Sequence, residues 1–145
     1  MAFFGTFAEN KIVDALLRAQ ALGAPATLFA SLHTTTSTST TPGTEVSGGS
    51  YARVAVTNAL ANWAGTQAAG STTVSTGTTG VTSNNGTITF PAPTANWGVI
   101  TGFCLFDAAS AGNCWIYGLL TVAKTVNNGD TAPSFAAAAL ALTIT

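Results

Sequence analysis

The chain has 145 residues, of which 6% are charged, with net charge −1; an ordinary soluble domain carries about 25% charged residues. The four basic residues, Lys11, Arg18, Arg53 and Lys124, are scattered and leave no electrostatic footprint for a nucleic-acid backbone, and no apolar run approaches the roughly 20 residues of a membrane-spanning helix. The length fits one domain, 1–145, with a core that requires no disulfide or metal, and a surface of Thr, Ser, Asn, Gly and Ala lacks the charge repulsion that keeps monomers apart.

The opening MAFFGTFAENK has no basic segment and only a short apolar patch, so the expectation is a protein assembled in the cytoplasm without a secretion signal. Thr6 and Glu9 stand at capping-box spacing, and Ile12, Val13, Leu16 and Leu17 recur at helical period until Gly23 and Pro25. This predicts one helix over about 7–22. Its apolar stripe is expected to face the core, with a docking arm as the alternative, and Asp14 and Arg18 are spaced to pair.

Ala26 to His33 alternates as a strand. Thr34 to Ser50 is rich in Thr, Ser and Gly and predicts a long exposed loop, about 34–50, that either stays mobile or orders against a partner's sheet edge. Tyr51 to Thr57 resumes the strand pattern. A second low-complexity loop spans about 58–85, with Trp63 its one large anchor, favoured as core over contact residue. Gly86 to Phe90 reads as a short strand closed by prolines.

Trp97 to Val122 reads as one long hairpin around a polar break, Asp107 to Gly112. Alternation places Trp97, Val99, Thr101, Phe103 and Leu105 on one face. Ile100, Cys104 and Phe106 fall on the other. Both faces are apolar, so a second sheet, a helix or another subunit must cover each. Closure about Ala109 sets Cys104 opposite Cys114 at a spacing that permits a disulfide, although free thiols are favoured for a cytoplasmic protein. After the Asn128-Gly129 turn, Ser134 to Thr145 reads as a last strand because Leu140, Leu142 and Ile144 recur at period two. The pattern predicts a mainly β antiparallel sandwich, jelly-roll-like, with one N-terminal helix.

Catalytic chemistry is scarce. His33 is the sole histidine, and the carboxylates Glu9, Asp14, Glu45, Asp107 and Asp130 are scattered without the spacing of an acid–base pair or metal site. No catalytic residue, metal or cofactor is expected, and a satisfied histidine is the favoured reading of His33. Arg and Tyr are enriched at interface hot spots, so Tyr51 and Arg53, with Glu45 and Trp63, are the candidate interface residues.

The runs EVSGGSYARVAV (Glu45 to Val56), TFPAPTANWGVITGFCLFDA (Thr89 to Ala108) and YGLLTVAKTVNNGDTAPSFAAAALALTIT (Tyr117 to Thr145) resemble a family of small tailed-phage and prophage virion proteins, some labelled tail fibre proteins and some acting as capsid cement or decoration proteins. The resemblance implies a non-enzymatic virion protein. Its first reading is a cement protein on the outer capsid surface, bound to the major capsid protein and to itself, as a homotrimer before a homodimer. The alternative is a tail, baseplate or fibre component that binds host receptors or glycans through Trp63, Trp97 or Trp115.

Overall fold

The computed structural model describes residues 2–143. In chain order the elements are β1 (Ala2–Phe4), α1 (Thr6–Leu17), β2 (Thr27–His33), β3 (Val54–Thr57), β4 (Val81–Ser83), β5 (Ile88–Thr89), β6 (Gly98–Phe106), β7 (Cys114–Val126), β8 (Ser134–Phe135) and β9 (Ala141–Thr143). A five-stranded antiparallel sheet runs β1-β7-β6-β2-β3, and two ribbons, β4-β9 and β5-β8, form the second layer. The protein is mainly β with one helix, as the alternation predicts.

Residues from both layers share one hydrophobic cluster. Leu28, Ala30, Leu32, Ile100, Phe103 and Leu105 come from the sheet, while Ile88, Phe90, Leu140 and Leu142 come from the ribbons and their flanks. Phe135 packs edge-on against both Phe90 and Phe103, with centroids 6.2 and 5.9 Å away, the arrangement that the ring quadrupoles favour. Asn84 joins the ribbons: its amide donates to the carbonyls of Gly86 and Ala136, and its oxygen accepts from the N–H of Leu140.

The central hairpin forms, but not with simple alternation. The register shifts between Ile100 and Gly102, so the face changes parity there and Ile100 joins Phe103 and Leu105 in the core. Across this site β7 takes five residue steps, Leu119 to Lys124, where β6 takes two. The surplus residues bulge outward, and Val122 is 77% exposed. A second shift follows Leu105, so that Cys104 pairs with Tyr117 while Cys114 pairs with Phe106. The hairpin closes about Ser110 rather than Ala109, with Phe106 opposite Cys114, and the bulge then adds one more residue to β7, so the cysteines are not directly opposed. Both are free thiols.

The helix departs from the sequence reading in three ways. It starts without the capping box: Gly5 is the cap, with no side-chain bond, and the Thr6 N–H donates to the Ser39 carbonyl. It ends at Leu17 rather than Leu22, because Ala19 turns left-handed (φ 55°) and the N–H groups of Arg18 and Gln20 both close on the Asp14 carbonyl. Its stripe also does not face the core. Only Ala8 is buried, and the helix docks through Phe7, edge-on to Trp115 at 5.4 Å. The Asp14–Arg18 pair forms at 3.0 Å on the exposed side, a contact worth a few tenths of a kcal/mol at most.

The two long loops carry structure. Residues 34–50 fold back on the sheet through a bridge between His33 and Glu45 and bury Ser37 and Val46. The 58–85 segment contains β4 and pins Trp63 to Asn84 by a second bridge. The last predicted strand divides into β8 and β9 around a turn at Ala136 to Ala139; Leu140 and Leu142 are buried as expected, while Ile144 lies outside the described residues.

Candidate functional site

Tyr51, Arg53 and Glu45 come together where the 34–50 loop crosses the sheet. Arg53 Nε and Nη2 donate to the two Glu45 carboxylate oxygens at 2.8 and 2.7 Å, and the Tyr51 hydroxyl donates to Oε1 at 2.9 Å. Arg53 Nη1 reaches the hairpin tip and donates to the carbonyls of Ala108 and Ala111, both at 2.8 Å, while the guanidinium lies 3.7 Å from the Phe106 ring centroid. The Tyr51 oxygen also accepts from the Leu32 N–H. Only 7% of the Arg53 side chain is exposed. These polar groups are spent inside the chain, where they clasp loop, sheet and hairpin tip together.

The charges follow from that packing. Burial alone would raise the Glu45 carboxyl, but its hydrogen bonds to Arg53 and Tyr51 and the Arg53 charge hold it below the ordinary carboxylate range. Burial, then the neighbouring Glu45 charge, pushes the Tyr51 hydroxyl upward. Arg53 is held further into its charged state, because the Glu45 contact outweighs desolvation.

Beneath the same loop lies a second polar cluster. His33 is fully buried, its Nδ1 donating to the Gly43 carbonyl at 2.7 Å and its Nε2 lying 2.9 Å from Ser31 Oγ. Ser31 donates its one hydrogen to the Cys104 carbonyl, leaving the hydroxyl oxygen to accept from an Nε2–H and so favouring the charged ring. Desolvation opposes that charge, but contacts with Cys104, the Gly43 carbonyl and Glu45 prevail and raise the His33 pKa. Ser37 bonds the Cys104 sulfur at 3.3 Å. The contacts with Cys114, His33 and Ser37 lower the Cys104 thiol, whereas Cys104 and burial raise the Cys114 thiol, which donates to the Ile116 carbonyl. Gly43 is required here, because a Cβ at that position would strike the Thr35 carbonyl. His33 is thus a satisfied buried histidine, and no group of three metal-ligating side chains occurs among the described residues.

Among its exposed residues the chain also presents large apolar side chains. On α1, Leu16 is 77% exposed and Leu17 80%, with Val13 half-exposed beside them. On the sheet face away from the ribbons, Phe3 stacks against its register partner Tyr117 at 5.7 Å, and Leu119 and Val99 are half-exposed nearby. The hairpin's two faces are therefore covered differently. The ribbons cover one, the chain's own Thr/Ser-rich loop covers the Cys104 end of the other, and the remainder is open. Trp63, the fourth candidate interface residue, packs partly against the core and lines an open groove of about 370 Å³. Trp97 and Trp115 are buried, their indole N–H groups bonded to the Gly49 carbonyl and to Asp107. The sequence reading held a docking arm only as the alternative for α1, because an amphipathic stripe has the same period whether its own sheet or another molecule covers it.

The chain is a small β protein that spends several polar side chains on internal clasps and exposes apolar helix and sheet side chains, a surface that marks an interaction site where such groups are contiguous. A family model described as podophage GP4 fiber I protein gp80 matches residues 4–143. The chain belongs to this family, and with it to the structural proteins of the phage virion. No curated protein matches it in a sequence search.

Proposed function

We propose that the chain is a non-enzymatic component of a tail fibre assembly, attached to a neighbouring virion protein through the α1 face of Val13, Leu16 and Leu17. The exposure of that face carries the reading. Three large aliphatic side chains on one short helix surface are 49%, 77% and 80% exposed, and fully burying an exposed side chain of this size contributes roughly 1.5–3 kcal/mol. The chain exposes 7521 Å², about a tenth above the roughly 6,900 Å² typical of a monomer of its mass. The family's fibre description favours the tail over the head; a cement protein on the major capsid protein is the competing location.

The test pairs Leu16→Ser with Leu17→Ser in one variant and reads its incorporation into virions by mass spectrometry, with immunogold labelling of the wild type. Gold on tails and a folded variant missing from virions support the proposal. Gold confined to capsids would transfer the role to cement. Undiminished incorporation of the variant would remove α1 as the attachment face. Native mass spectrometry then tells whether the face is buried on other copies, with the homotrimer as the expected assembly, or on a different protein.

A further inference from the structure

Between the central hairpin and the β5-β8 ribbon lies an apolar cavity of about 60 Å³ that neither the clasp nor the α1 face uses. Ile100, Val126 and Phe90 wall it and are buried, while Leu120 and Lys124 of β7 and Ser134 of β8 line it and reach solvent. The mouth therefore lies between β7 and β8. A water molecule needs about 10–15 Å³ on this measure, so the cavity holds roughly four to six groups of that size. That matches the side-chain carbons of a single Leu or Ile and falls short of a drug-sized ligand.

Two independent observations specify what fits there. The first is an open sheet edge at the mouth. β1 pairs only with Ile116, Tyr117 and Gly118 of β7, and the β6 register passes over Leu120 to Ala123, so among the described residues these four have no strand partner on either side. Such an edge offers unpaired N–H and C=O groups to an incoming strand. The second is an unspent charge. Arg18 and Arg53 are paired with carboxylates, and Lys11 lies over the Phe7 ring; among the described residues Lys124 alone of the four cations has neither kind of partner. A second β7 is a poor occupant, because an edge lysine and a bulge both deter pairing with a like strand.

We propose that this edge docks an extended segment of another protein, laid along β7 with one aliphatic side chain in the cavity and a carboxylate two residues away on Lys124. Residues two apart share one face of a strand, and Leu120 and Lys124 line one cavity, so both groups of the segment meet the same site. Backbone hydrogen bonds to the edge supply affinity, while the cavity and the ammonium supply specificity. The site is separate from α1 and does not depend on it.

The experiment titrates ¹⁵N-labelled full-length protein with the acetylated and amidated peptides TTLTETT and TTETLTT, which present the two groups in either strand direction. The expected result is a saturable shift of the backbone amides from Leu120 to Val126 at millimolar concentrations of at least one peptide. Replacing its Leu by Ala is expected to weaken binding about ten-fold or more, the loss of a buried aliphatic group. Replacing its Glu by Lys is expected to do the same, through the lost charge-assisted bond. Lys124→Glu, at an exposed position, is expected to reverse the preference toward the Lys peptide, whereas Leu16→Ser with Leu17→Ser is expected to leave peptide binding unchanged. Absence of a saturable shift with both acidic peptides overturns the proposal, as does binding indifferent to the peptide substitutions. Octanoate moving these amides while the peptides stay silent would make this an aliphatic-acid site and overturn peptide docking. Concentration-dependent shifts of the same amides in the protein alone would overturn it in favour of a second copy. If Lys124→Glu does not fold, the peptide series on the wild type decides alone.

Discussion

Arg53→Ala tests the clasp most directly. The substitution removes two hydrogen bonds to Glu45, two to the hairpin tip and the contact with Phe106. Its main cost is the stranded carboxylate. Removing one partner of a buried ion pair costs about 3–5 kcal/mol, and because 26% of the Glu45 side chain reaches solvent, the lower end applies. A loss of about 3 kcal/mol corresponds to a fall in Tm of roughly 6–12 °C for a chain of this length. Urea denaturation gives the free energy, and a cycle with Glu45→Gln isolates the pair. Once Arg53 is gone, Glu45→Gln is expected to recover stability, because it removes the unpaired charge. Arg53→Lys is expected not to rescue, since one ammonium cannot meet a bidentate carboxylate and two carbonyls together. A loss under about 1 kcal/mol for Arg53→Ala, with additive effects in the cycle, would refute the clasp.

Four further outcomes follow from the same geometry. Glu45 is held below the ordinary carboxylate range, so the stability it contributes is present above that range and is lost as pH falls through its folded pKa; denaturation midpoints across acid pH are expected to drop more steeply in the wild type than in Glu45→Gln. His33 is raised, so its contribution is full below its ordinary pKa of 6.5 and fades as pH climbs through the folded value; an NMR titration placing His33 below 6.5 would contradict the assigned hydrogen-bond directions. Asn84→Ala leaves the N–H of Leu140 and the carbonyls of Gly86 and Ala136 without their side-chain partner, with an expected cost of about 3 kcal/mol by urea denaturation. Cys104 is fully buried, so alkylation under native conditions is expected to spare it until the chain unfolds, and mass spectrometry of protein never exposed to reductant should find two free thiols.

The sequence by itself determined the composition of this protein's surface, the existence of its longer elements and its virion family. Period-two runs at Thr27 to His33 and along the central hairpin are local signals, because a strand buried on both faces must be apolar on both, and the Glu45 to Val56 run and its companions marked the family. The three-residue β1 was missed because a strand that short has no period to read. The bulge beyond Ile100, which brings Ile100 and Phe103 to the same face, depends on the pairing of two strands and leaves no mark in one of them. His33 had no sequence neighbour to explain it; Gly43 and Cys104 reach it only once the loop folds back. Likewise, Tyr51 and Arg53 read as contact residues because their types are common at interfaces, and only the path of the 34–50 loop turned them inward onto Glu45. The tertiary structure also decided which way α1 faces. Helical period records that one side is apolar, whereas what covers that side depends on where Gly5 and Phe7 dock the helix, and they leave Leu16 and Leu17 in solvent.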